Sequence, residues 1–167
     1  MSSRYAGLEG ILLIVLWAMS ALAQTPTATP APVAYGLPIG LEDAKKAADA
    51  AMTEARKNNW TMAIAVVDPG GILVFYEKME NTQIGSADIA IEKALTAVRF
   101  KRPSKAFQDL VGGGGVGLRM LRLPGGVPFE GGIPLLMNGK IVGAIGVSGD
   151  SSDHDGICAQ AGAATLK

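Results

Sequence analysis

The sequence predicts an α/β domain of the α+β type, a mainly antiparallel sheet packed with helices. Two observations carry this. Two pairs of apolar, β-rich runs are each joined by a tight turn signal, Asp68-Pro69-Gly70-Gly71 in the first and Asn138-Gly139 in the second. Helical periodicities precede, separate and follow these hairpins, so helices must cover the sheet they form.

The elements follow in order. Leu41 to Asn58 reads as a helix, because Leu41, Ala44, Ala48, Ala51, Met52 and Ala55 recur at helical spacing opposite a charged face. Met62–Val67 and Ile72–Tyr76 form the first hairpin; Pro fixes φ early in its turn and Gly permits positive φ late. Ser86 to about Phe100 is a second helix, closed by Pro103, with Ser104 placed to cap a short third helix through Val111. Gly112 to Gly117 reads as a flexible loop. Ile133–Met137 and Lys140–Ser148 are the second hairpin, Gly149–Asp153 a loop, and about Asp155 to Ala164 the last helix.

Upstream of this domain the chain changes character. Residues 1–23 have the order of a signal peptide: Arg4, an apolar core at Ile11–Met19, and the small-x-small pattern Ala21-Leu22-Ala23, which places the cut after Ala23. The core is short for a membrane span, although an uncleaved anchor is the alternative. Residues 24–36 are a linker rich in Pro, Thr and Ala, and the domain proper is expected over 37–167. The expected location is therefore periplasmic or secreted, with no stable membrane span in the mature form.

Composition excludes a nucleic-acid partner. Fifteen Lys and Arg balance fifteen Asp and Glu, no basic block occurs, and aromatics are scarce. Cys158 is the sole cysteine, so no internal disulfide can form; it reads as a small buried helix residue.

Several residues invite a chemical reading beside a structural one. Gly112, Gly114 and Gly117 match G-x-G-x-x-G, but they follow a helix rather than a strand, so a nucleotide site is not expected. His154, the single histidine, lies beside Asp153 and Asp155; it is a candidate metal or haem-iron ligand, or an exposed loop residue. Glu77 and Glu80 point to opposite faces if both extend a strand. Lys93 is a charge on an alanine-rich inward stretch and needs a partner or an anionic ligand; Asp68 is one candidate partner. Lys101, Arg102 and Lys105 cluster near Ser104 at a helix start, a setting suited to a carboxylate or propionate.

Taken in order, Asp68-Pro69-Gly70-Gly71, Ser86-Ala87-Asp88-Ile89-Ala90, Lys93-Ala94-Leu95-Thr96-Ala97, Arg102-Pro103-Ser104, Gly131-Gly132-Ile133-Pro134 and Gly143 to Gly149 followed by Asp155 resemble the GlcG/HbpS family, also met as the C-terminal domain of PduO-type proteins. The resemblance implies a profilin-like fold, assembly into homo-oligomers, and association with haem, with corrinoids, or with glycolate and propanediol use. It places Lys93, Arg102, Ser104, Gly131 and Gly132 at a ligand pocket. It favours an exported, non-catalytic haem-binding accessory protein over an enzyme or accessory acting on a small hydroxy acid, in which Lys93 and Arg102 would hold the carboxylate and Asp68 act as base. A scaffold defined only by its oligomer interface is the third reading. The stretch after Gly149 departs from the family pattern, and no His occurs in the N-terminal helix or first hairpin, so His154, Met79, Met120 or Tyr76 would have to ligate the iron, or haem would bind weakly at the surface.

Overall fold

The structure, a computed structural model, describes residues 31–166. The expected signal peptide and most of the linker lie outside the described residues. Helix α1 spans Leu41–Lys57, strands β1 and β2 span Ala63–Val67 and Leu73–Lys78, and helices α2 and α3 span Ser86–Phe100 and Lys105–Gly112. A 3-10 helix at Gly115–Arg122 leads to β3 at Gly132–Met137, β4 at Lys140–Ser148 and helix α4 at Ser152–Ala163. The strands lie in the order β2-β1-β4-β3, and every ladder is antiparallel. The predicted α+β class and both hairpins are present. No helix among the described residues is long and apolar enough to cross a membrane.

Local chemistry explains the turns. Asn138 and Gly139 both have positive φ, 51° and 71°, which a two-residue hairpin of this twist requires. In the first hairpin the Asp68 carboxylate accepts from the Ile72 backbone N–H at 2.9 Å and closes the turn. The chain before α1 is also part of the body: Tyr35 bridges Ile141 in parallel, and its hydroxyl donates to the Val98 carbonyl at 2.8 Å. Ordered packing therefore begins slightly ahead of Leu37.

Strand alternation divides the core in two. Ile64, Val66, Ile145 and Val147 face the layer made by α1 and α4, whereas Ala63, Ala65 and Ala144 face α2 with its Ala90, Ala94 and Ala97. The register between β3 and β4 slips between Leu135 and Leu136, so that Val142 has no partner and the alternation along β4 changes phase there. Because the α2 face is built from alanine, the helix lies almost on the sheet. A β-carbon at Gly146 would overlap the Ala90 carbonyl, and one at Gly132 would overlap the Lys93 carbonyl. Gly132 of β3 and Gly146 of β4 are thus fixed by the close approach of a helix backbone, whereas Gly143 is fixed by the Val67 carbonyl of β1.

Two expectations change at the element ends. Gly112 to Gly117 is not a loop throughout: Gly114 and Gly115 turn with positive φ, and the 3-10 helix starts at Gly115. Helix α4 begins at Ser152 rather than near Asp155, because Ser151 caps it by accepting from the His154 N–H. His154 therefore sits in the first turn of a helix and not in a loop.

Replacing Gly146 with Ala should destabilise the domain by about 1–3 kcal/mol, since neither the Ala90 backbone nor β4 can yield without moving a whole element. A denaturant titration would show it as a lower midpoint at unchanged slope.

Candidate functional site

Lys93 is the organising residue. It leaves the middle of α2, and its side chain is only 2% exposed. The Nζ donates to Asp155 Oδ2 at 2.6 Å and to the Val147 carbonyl at 3.1 Å. One side chain thus joins α2, the end of β4 and the first turn of α4. Burial draws the Lys93 ammonium below its ordinary value, against the attraction of Asp155. Burial likewise raises the Asp155 carboxyl, against the attraction of Lys93. Each charge is held in the interior by the other.

The partner is Asp155 and not Asp68. Val147 pairs with Ile64 and Ala144 with Val67, so Asp68 follows the far end of β1 from the ammonium, roughly 13 Å along the strand. Its carboxylate is engaged in the turn.

Gly131 and Gly132 give Lys93 its passage. A β-carbon at Gly131 would meet Lys93 Nζ at 3.0 Å and the Asp155 β-carbon at 2.9 Å, and its φ of 122° suits glycine alone. Ser104 locks this segment in place. Its N–H donates to the Gly132 carbonyl at 2.9 Å, its hydroxyl donates to the Phe129 carbonyl at 2.6 Å, and its Oγ accepts from the Gly132 N–H at 2.8 Å. Ser104 precedes α3 as expected, but its side chain does not cap that helix. It fastens the loop before β3 instead. Of the predicted ligand residues, the structure gathers Lys93, Ser104, Gly131 and Gly132 around Asp155.

The basic cluster disperses. Lys105 pairs with Asp109 and Glu130, both at 3.1 Å. Lys101 donates to the Val33 carbonyl and lies over the Tyr35 ring. Arg102 is exposed, donates from Nε to the Phe100 carbonyl, and lies over the Phe107 ring. Arg102 and Asp68 do not converge on Lys93, which is the arrangement that hydroxy-acid chemistry at this residue would use.

His154 occupies the rim near this assembly. Its Nδ1 is 3.0 Å from Asp150 Oδ1, and its ring stacks on Trp60 with centroids 3.9 Å apart. The Ser151 N–H, then His154, hold the Asp150 carboxyl below its ordinary value. Asp150 also lines a cleft with Lys93 and Asp155, so rim and interior share it. Among the described residues no three His, Cys, Asp or Glu side chains gather to hold a bare metal ion. The other sulfur and phenol candidates lie apart: Met79 packs on the core and its Sδ accepts from the Met62 N–H, Tyr76 is partly buried on β2, and Met120 belongs to the 3-10 helix. Cys158 is buried in α4, as expected.

Asp155, Asp150 and Trp60 were not predicted as site residues. Asp155 had a signal. It is an acid just ahead of the small and apolar run Gly156-Ile157-Cys158-Ala159, but with the helix start placed there it reads as an ordinary first-turn acid.

A helix-covered antiparallel sheet, a buried lysine–aspartate link and a glycine gap beside it define a small α+β domain with one polar crossing through its sheet edge. The chain belongs to the HbpS-like family: the family profile, described as "Haem degrading protein HbpS-like", matches residues 39–164. Protein GlcG of Escherichia coli K12 is 38% identical over 99 residues, covering 59% of this chain and 72% of GlcG. A double mutant of Streptomyces reticuli HbpS superposes with a TM-score of 0.72 at 32% identity, covering 84% of this chain and 94% of that one. The PduOC:heme complex superposes with a TM-score of 0.70 at 27% identity, covering 78% and 96%.

Lys93→Met alone should cost about 3–5 kcal/mol, because Asp155 is left as a buried, unpaired charge; combining it with Asp155→Leu should restore most of the loss. Chemical denaturation of the three proteins measures this. Burial, then the nearby Asp155, push the Cys158 thiol up to about 12. A thiol reagent at pH 8 should therefore leave native protein unlabelled and react once the chain is unfolded.

Proposed function

We propose that this chain binds haem through His154 and serves as an exported, non-catalytic, homo-oligomeric protein of haem storage or sensing. The observation that carries the reading is the state of His154. Its Nδ1 is held by Asp150 and its ring is braced by Trp60. The Nε2 has no partner among the described residues, and the side chain is 37% exposed. A carboxylate on one ring nitrogen fixes the tautomer and raises the basicity of the other, the usual arrangement of a metal-bound imidazole.

A single imidazole suits an iron that brings four nitrogens of its own. Haem, when bound, supplies a redox-active iron; the chain supplies the donor, its orientation and the surface on which the ring lies. The cleft beside Lys93 has a volume of about 350 Å³ and is polar at its base, so the reading puts haem on the open face near His154. The family's description and the PduOC:heme complex support the same ligand. The leader-like order of residues 1–23 supports export to the periplasm or beyond. Val116, Leu118 and Leu121, 83%, 48% and 60% exposed on the 3-10 helix, support burial against another copy.

Haemin added to the purified chain should give a saturable Soret change. His154→Ala should abolish or shift that band, and Asp150→Asn should weaken binding about 10–100-fold with the band position retained. Absence of any saturable change would overturn the haem reading; an unchanged spectrum in His154→Ala would remove this residue from the iron.

A further inference from the structure

We propose that the cleft between the first turns of α2 and α4 is a binding site for a small uncharged molecule, held through a hydroxyl or carbonyl oxygen. Its donors, Ser86, Ser148 and Lys93, are not those of the haem reading, and the two sites share Asp150 at the rim.

The argument starts from the buried polar residues. Among the described residues these are Thr82, Ser86, Lys93, Thr96, Ser104, Ser148 and Asp155. Four of the seven, Ser86, Lys93, Ser148 and Asp155, line this one cleft. The three outside it are well bonded. The Thr82 hydroxyl donates to the Met62 carbonyl at 3.2 Å. Thr96 donates to Glu92 O at 2.7 Å and accepts from Val127 N–H at 2.9 Å. Ser104 makes its two side-chain bonds at 2.6 and 2.8 Å.

Ser86 and Ser148 differ. Their hydroxyls are 1% and 5% exposed by residue, and their side-chain contact is with each other at 3.4 Å. That is long for an O–H···O bond, which is usually 2.5–3.0 Å. Two hydroxyls carry two hydrogens, and one contact uses one of them, so an O–H remains to be accepted. Lys93 has three N–H groups and two acceptors, which leaves a third donor at the same floor. Each of these groups has at least one partner, but each hydroxyl and the ammonium can make more bonds than it makes, and the three line one cavity.

Charge selects the ligand class. The groups facing the cleft are Lys93, Asp155 and Asp150. The first two neutralise each other, and Asp150 adds a carboxylate at the rim. The side chains facing the cleft therefore bring no surplus positive charge, and the Asp150 carboxylate opposes the pull of the two helix N-termini on an anion. A neutral oxygen can accept from Ser86, Ser148 and Lys93 without that repulsion. Ile89 and the half-exposed Phe129 form an apolar wall for the carbon skeleton. At about 350 Å³ the space admits a small molecule.

The test is an amide-resolved NMR titration of the full chain with acetone and 2-propanol as neutral oxygen probes and acetate as the charged analogue of the same size. Saturable shifts at the amides of Ser86, Ile89 and Ser148 with the neutral probes, and not with acetate, are expected. The double substitution Ser86→Ala with Ser148→Ala should weaken them about tenfold, as for one lost hydrogen bond. It should leave the spectrum folded and the haemin titration unchanged. Three results would each overturn the proposal: no saturable shift, a stronger response to acetate, or equal binding by the double variant. Should the double variant not fold, Ser148→Ala alone is read in the same way.

Discussion

The Lys93–Asp155 pair is the interaction on which the rest of the domain depends. It joins the two helical layers that the sheet otherwise keeps apart. Such a link demands a great deal of its surroundings. Two charges taken from water gain from each other only when geometry is good and their remaining valences are met. Here the Val147 carbonyl takes a second Lys93 N–H, and Asp155 Oδ1 accepts from the Asp150 N–H at 3.3 Å. The path also needs space, which Gly131 supplies, and a fixed wall, which Ser104 supplies.

The same constraint accounts for the small residues of the α2 layer. For Lys93 to reach past the sheet edge, α2 must lie close to β4 and β3. Alanine on the helix and glycine on the strands allow that approach, and the missing β-carbons of Gly132 and Gly146 are matched by backbone groups of the helix. Packing of this kind offers little tolerance. It also gives the interior a polar corner, where the chain spends buried serines as well as the ion pair. The first turns of α2 and α4 meet at that corner, and both functional readings are located at or near it. Asp150 connects them, since it lines the cleft and holds the imidazole of His154.

Membership of the HbpS-like family, whose profile is described as haem-degrading, places this arrangement among proteins with a haem connection. The rim at Trp60, Asp150 and His154 is an exposed imidazole, braced on one face and bonded at one nitrogen. The interior at Lys93 and Asp155 is an ion pair in which two of the three Lys93 N–H groups are accepted by protein oxygens. A large planar ligand and a small polar one would therefore use different parts of the same end of the domain.

Much of the fold was legible in the sequence because its signals are local. Asn138-Gly139 between apolar runs, the alanine stripe of α1 and the bounds of α2 at Ser86 and Phe100 each depend on a few neighbouring residues. Lys93 also stood out, since a lysine among inward alanines needs a partner wherever the chain goes. Which partner was a matter of tertiary structure. Asp68 and Asp155 are both plausible acids in the sequence, and only the antiparallel pairing of β1 with β4 puts one beyond reach and brings the other to 2.6 Å. The fate of the basic cluster was settled in the same way, by neighbours distant in sequence: Val33 and Tyr35 take Lys101, and Glu130 takes Lys105. The start of α4 turned on whether Ser151 or a later residue made the cap, and that moved His154 from a loop onto a helix. The sequence by itself determined the elements and the buried charge of Lys93, because these follow from short-range periodicity and burial cost; the tertiary structure decided what that charge meets, because contacts 62 residues apart depend on sheet register.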